Sequence, residues 1–158
     1  MFKLFKKQKT EIVSPAAGVL KSITEVPDQV FASRMMGDGF IVTPETGDIF
    51  SPIDGTVAMI FPTGHALGLK SPDGIELLVH IGVDTVALNG EGFEKVVTEG
   101  QSVKKGDLIA RFDLEAIKAK VPSADIIIVF TTEEACEVLK AGKRVTAGEA
   151  DIVEYKKK

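Results

Sequence analysis

Short apolar and β-branched runs alternate with glycine- and proline-bearing breaks along most of this chain. The runs are Gly18 to Ile23, Phe40 to Thr43, Gly55 to Phe61, Ala66 to Lys70, Ile75 to Ile81, Asp107 to Phe112, Ile126 to Phe130 and Asp151 to Tyr155. Most are shorter than an ordinary helix. Turn signals separate them at Gly37-Asp38-Gly39, Ser51-Pro52, Asp54-Gly55, Ser71-Pro72-Asp73-Gly74 and Asn89-Gly90. The spacing predicts an all-β sandwich or barrel. Two segments carry helical signals instead. Asp113 to Lys120 opens on an acid and stops before Pro122. Thr131 with Glu134 three residues on has capping-box spacing, and it predicts a second short helix ending at Gly142. Ala135, Val138 and Leu139 are its apolar stripe, and Cys136 is a small packing residue within it.

Ser14-Pro15-Ala16-Ala17-Gly18-Val19 is echoed by Ser51-Pro52-Ile53-Asp54-Gly55-Thr56. Gly100 through Ile109 resembles hairpins of barrel-sandwich domains such as biotinyl and lipoyl carriers. The echoes point to related hairpins in one domain rather than a solenoid, which needs several repeats at a fixed period. A biotinyl or lipoyl carrier presents a lysine at a hairpin tip. The Met35-Met36-Gly37 loop has none between its methionines.

Composition narrows the class. At 158 residues, with 44% apolar and 27% charged positions, the chain fits one soluble domain with a sizeable core. A net charge of -4 argues against nucleic acid and allows a basic protein partner. Cys136 is the only cysteine, so there is neither an intramolecular disulfide nor a thiolate metal site, and a reducing, cytoplasmic setting follows. No apolar run approaches the roughly 20 residues that span a bilayer. Residues 1–10 are basic, with only Phe2, Leu4 and Phe5 as apolar anchors, and read as a flexible, solvated segment. They allow at most weak contact with an anionic membrane surface.

His65 and His80 are the only histidines, so any histidine chemistry must use them. His80 closes Gly74-Ile-Glu-Leu-Leu-Val-His80, a strand rising from a Pro-Asp-Gly turn. His65 begins the preceding strand, so a hairpin can bring the two together. A neutral imidazole is nucleophilic near pH 7. Phosphoryl transfer asks chiefly for positioning and charge stabilisation. One histidine can attack phosphorus while the other donates to the phosphoryl oxygens. Thr63 is placed to orient His65, and Asp84 or the Gly82 carbonyl to hold His80. Gly82 leaves room for backbone close to the ring. By itself, a histidine in an apolar strand is as readily a satisfied structural residue.

The stretch Gly74-Ile-Glu-Leu-Leu-Val-His80-Ile-Gly82-Val-Asp84-Thr85-Val-Ala-Leu88 resembles the active-site signature of glucose-type enzyme IIA, a component of the bacterial phosphoenolpyruvate-dependent sugar phosphotransferase system. The resemblance runs from Ile12 to about Val153. It takes in Phe31-Ala-Ser-Arg-Met-Met-Gly37-Asp38-Gly39, Phe61-Pro-Thr63-Gly64-His65-Ala66 and Gly100 through Phe112. It implies a single IIA domain over residues 11–158. Its fold would be an antiparallel β-sandwich, or barrel-sandwich hybrid, with one or two short helices. A shallow depression would hold both histidines.

The resemblance further implies a phosphotransferase component working through a phosphohistidine. His80 would accept a phosphoryl group from the carrier HPr and donate it to a cysteine on the IIB domain of a sugar permease (IICB). His65, Thr63, Asp84 and Gly82 would assist. An apolar docking collar of Val30, Phe31, Met35, Met36, Phe61 and Leu78 would exclude water from the labile phosphohistidine. The methionines and Leu78, which replaces a common phenylalanine, depart from the family pattern but keep it apolar. Acids outside the collar, Asp28, Asp38, Asp84 and Glu133, would speed encounter with basic HPr. No cofactor is implied, and His65 and His80 are zinc ligands only at an interface shared with a partner. Two other functions remain open: a zinc hydrolase using His65, His80 and Asp84, and a purely regulatory interaction protein.

Overall fold

A computed structural model describes residues 9–157. Its elements run β1 (Gly18–Ser22), α1 (Gln29–Ala32), β2 (Gly39–Pro44), β3 (Asp48–Phe50), β4 (Gly55–Ile60), β5 (Ala66–Lys70) and β6 (Glu76–Val83). There follow β7 (Phe93–Lys95), β8 (Ser102–Val103), β9 (Leu108–Phe112), α2 (Leu114–Lys118), β10 (Ser123–Phe130), β11 (Ala135–Val138), β12 (Arg144–Val145) and β13 (Val153–Lys156). An eight-stranded sheet has the order β12-β1-β2-β10-β6-β5-β4-β8, beside a three-stranded sheet β3-β9-β7 and the pair β11-β13. Every pairing is antiparallel. The architecture is an all-β sandwich, as the chain's pattern predicts, with two short helices, of which only α2 falls where a helix is expected.

Strand alternation explains the layering. On β6, Leu77, Val79 and Ile81 enter the main core, which they share with Ile126, Ile128 and Phe130 of β10 and with Ile49, Ile109 and Phe112 of the smaller sheet. The in-between residues of the same strands face the other way. There Ile127 and Val129 of β10 join Ile41, Val83, Phe31, Ile23 and Val26 in a second, smaller apolar cluster, with Leu78 packed against it. Asp28 caps α1 through hydrogen bonds from the Val30 and Phe31 amides, and so fixes Phe31 over this outer face.

The helix at Asp113 forms, with the Asp113 carboxylate accepting from the Ala116 amide. The helix predicted from Thr131 to Gly142 does not. That segment holds β11, paired with β13 in the register Cys136↔Tyr155 and Val138↔Val153. Cys136 and Val138 are half-buried against the core while Ala135 and Glu137 are exposed, a period of two. Capping-box spacing was the misleading signal. The Thr132 hydroxyl bonds Glu134, Glu133 turns the chain at φ 70°, and the Cys136 amide donates to the Asp38 carboxylate. A ladder partner distant in sequence overrode a local preference.

Of the segment expected to be flexible, residues 1–8 lie outside the described residues. Lys9 and Thr10 are held rather than free. The Lys9 ammonium bonds the Tyr155 carbonyl at 2.8 Å and sits 4.4 Å from the centre of that ring. Thr10 bonds Asp73 through its hydroxyl and Tyr155 through its carbonyl.

Candidate functional site

His80 stands on the outer face of β6, level with Ile127 of β10 and Ala66 of β5. His65 directly precedes β5, and its carbonyl accepts a hydrogen bond from the Ile81 amide at 2.7 Å. The β5-β6 hairpin thus brings the two imidazoles together, with ring centres 5.0 Å apart and planes at 81°. Phe31 lies 5.0 Å from His80, and Phe61 meets His65 edge-on at 5.3 Å. Each histidine therefore has an aromatic wall on one side and the other histidine beside it.

The hydrogen bonds select the ring atoms. Nδ1 of His80 is 2.8 Å from the Gly82 carbonyl. A carbonyl only accepts, so Nδ1 carries the proton and Nε2 keeps its lone pair. Nδ1 of His65 bonds the Thr63 hydroxyl. Each ring's only hydrogen bond among the described residues is at Nδ1. No buried side-chain nitrogen or oxygen among them lacks a partner, so neither Nε2 is fully sealed from solvent, although His65 is only 3% exposed and His80 half-buried. Burial, then the neighbouring His65, push the His80 imidazole down to about 4. The Gly82 hydrogen bond and the Asp28 and Asp84 carboxylates oppose that shift. Burial lowers His65 as well. At neutral pH the pair is uncharged.

Gly82 is required here by shape. It has φ +76°, and a Cβ there would sit 2.6 Å from Thr85 Cγ2 and 3.1 Å from the Ser123 carbonyl oxygen. Asp84 does not bond His80. It is exposed, in a left-handed conformation at φ 61°, and heads a short 3-10 turn over Thr85–Leu88. No three His, Cys, Asp or Glu side chains among the described residues lie close enough to share a metal, so Asp84 does not complete a three-ligand set with the histidines.

The collar residues divide by exposure. Val30, Met35 and Met36 are exposed at 44%, 75% and 45%. Phe61 and Leu78 are half-buried, and Phe31 is buried in the outer cluster. Phe31 and Leu78 thus pack into the outer cluster beside the histidine rather than forming an exposed rim. Asp38, expected among the surface acids, is structural: it bonds Arg34 and the amides of Gly39 and Cys136. Asp28 is a helix cap as well as a carboxylate near His80. The Cys136 thiol is pushed up to about 12, first by burial and then by Asp38, and is not a nucleophile. Sequence reading missed the Phe31-His80 contact and the Asp28 cap behind it. Asp28 three residues before Phe31 was the available signal.

An antiparallel β-sandwich with a neutral histidine pair sunk in one face defines a class suited to group transfer through an imidazole. The model for the phosphoenolpyruvate-dependent sugar phosphotransferase system family EIIA 1 matches residues 10–136, and the chain belongs to that family. It is a phosphoryl-carrier component of a sugar phosphotransferase system. A Bacillus anthracis "PTS system glucose-specific EIIA component" is 48% identical over 142 residues, spanning 90% of this chain and 86% of that protein. A Bacillus subtilis "PTS system glucosamine-specific EIICBA component" is 50% identical over 119 residues, 75% of this chain but 19% of that protein. The solved glucose permease IIA from Mycoplasma capricolum superposes with a TM-score of 0.86 at 39% identity, covering 92% of this chain and 96% of that one. Among the described residues no helix is long and apolar enough to cross a membrane.

Proposed function

We propose that Nε2 of His80 accepts a phosphoryl group from phospho-HPr and donates it to the IIB domain of a sugar permease. One observation carries this reading: the Gly82 carbonyl holds the Nδ1 proton at 2.8 Å and leaves a neutral Nε2, not fully sealed from solvent, beside a second histidine. In the forward step the N–P bond of the donor breaks as the N–P bond to His80 Nε2 forms. No proton has to leave His80 first. As positive charge grows on the ring, the bond from Nδ1 to Gly82 strengthens.

His65 serves the phosphoryl oxygens. With the Thr63 hydroxyl donating to Nδ1, the His65 proton sits on Nε2, the atom left free to donate. Val30, Met35 and Met36 form the exposed apolar rim that closes over the site when a partner docks, with Phe61 and Leu78 inside it. The name of the Bacillus subtilis relative, which joins IIC, IIB and IIA, supports IIB as the acceptor. The exchange takes place in the cytoplasm and needs no cofactor. A zinc ion would find two imidazoles here and would complete its shell only with ligands from a partner.

The test is incubation with phosphoenolpyruvate, enzyme I and HPr, followed by intact mass and site mapping. One phosphoryl group on His80, passed on when IIB is added, is the expected result. A phosphoryl group mapped to His65, or none at all, overturns the assignment.

A further inference from the structure

The hydrogen bond that leaves Nε2 of His80 free depends on where the Gly82 carbonyl points, and a peptide plane at a left-handed glycine is not fixed by the glycine itself. Gly82 has φ +76° and no side chain to lock it. The lock comes from the next turn. Thr85 is fully buried, and its hydroxyl donates to the Ile81 carbonyl at 2.6 Å. Its methyl group, Cγ2, fills the space where a Gly82 Cβ would lie, 2.6 Å from that position. One side chain thus ties the peptide before Gly82 by a hydrogen bond and packs against Gly82 itself.

Residue Ile81, through the peptides on either side of its Cα, also connects the two histidines. Its amide donates to the His65 carbonyl at 2.7 Å, while its carbonyl accepts from Thr85. Position 85 is therefore bonded to the strand segment that spaces both rings.

We infer that Thr85 is a positioning residue for the transfer reaction: through Ile81 and Gly82 it fixes the Nδ1–H tautomer of His80 and so decides which ring nitrogen can take the phosphoryl group. It touches neither the phosphoryl group nor the His80 ring. An imidazole released from this carbonyl populates both tautomers, and the form with its proton on Nε2 has no lone pair there. The inference rests on the reading that His80 is the phosphoryl acceptor, but its first readout does not need phosphoryl transfer.

The experiment compares the parent protein with Thr85→Val, which keeps the shape and loses the hydroxyl, and Thr85→Ser, which keeps the hydroxyl. Histidine-labelled protein is followed by long-range nitrogen–proton correlation NMR, which reports the tautomer of each ring, with thermal melts as the folding control. The parent and Thr85→Ser show His80 protonated at Nδ1. Folded Thr85→Val shows a tautomer mixture at His80 alone. Its acceptance from phospho-HPr falls about fivefold, the equilibrium factor of one ordinary hydrogen bond. Should Thr85→Val not fold, Thr85→Ala replaces it with the same expectation. A parent-like His80 tautomer and rate in the variant lacking the hydroxyl overturn the proposal, as does an equal loss in Thr85→Ser. If instead the parent gains no phosphoryl group on His80, the functional reading fails, while the tautomer spectra still decide the role of Thr85.

Discussion

The two faces of the eight-stranded sheet draw side chains from the same strands and differ in what covers them. The inner face of β6 and β10 presents Leu77, Val79, Ile81, Ile126, Ile128 and Phe130, all essentially without solvent contact. The outer face presents Leu78, His80, Ile127 and Val129 to a smaller cluster, roofed mainly by Phe31 and its neighbours. Where that roof ends lie the half-buried His80 and the buried His65, neither with its Nε2 fully sealed from solvent. A complete core stabilises the fold and can do nothing else. An incomplete one lowers the imidazole basicity by partial burial without sealing the rings in completely.

The sharpest way to break this contrast is His80→Gln. Acceptance from phospho-HPr is expected to vanish while the melting temperature changes little, read by intact mass and calorimetry. Normal phosphorylation of the variant would sink the outer-face assignment.

On the inner face, Ile128→Ala should do the opposite. Losing a fully buried isoleucine side chain costs about 2 to 5 kcal/mol of stability, measured by denaturant titration. The protein that remains folded should still accept phosphoryl groups at the parent rate.

Acid tests both faces at once. The folded His80 value of about 4 lies below the ordinary 6.5, so the unfolded chain takes up its proton first as pH falls. The stability linked to this group is intact above about pH 6.5 and is lost on the way down to about pH 4, in all about 3 kcal/mol. Acceptance should stay level through pH 6 and fall with a midpoint near 4. A midpoint at 6.5 would show that the roof does not desolvate the ring.

His65→Gln should leave acceptance from HPr at least partly intact and slow onward transfer to IIB by about 100-fold, the scale of a lost proton donor. Rapid-mix measurement of the two half-reactions separates these effects, and equal, total loss of both would make His65 the acceptor or a folding residue. The smallest effect is expected at the rim. Met36→Asp should weaken HPr binding about tenfold, on the scale of one interface contact worth over 1 kcal/mol, without altering the melt. Unchanged affinity in a titration with labelled HPr would place the docking surface around Phe61 and Leu78 alone.

The alternation along Ile75 to Ile81 and the runs around it fixed most of the long strands, because burial on one side of a sheet writes a period of two into the residues themselves. β5 matches its predicted run from Ala66 to Lys70 residue for residue. The signature around His80 carried the family, and Thr63 and Gly82 were legible as partners of the two rings. Only the tertiary structure decided the rest. The segment after Thr131 became a strand because β13, distant in sequence, offered it a ladder. Of the two groups expected to hold His80, the Gly82 carbonyl does so and Asp84 makes no hydrogen bond to it, a choice set by the left-handed backbone at Gly82. Strands of two or three residues such as β3, β7, β8 and β12 carry too few positions to show a period, and pairing alone makes them strands. Residue type sets which groups can do chemistry. Their distance, tautomer and exposure depend on contacts between segments far apart in the chain, and no local pattern encodes those.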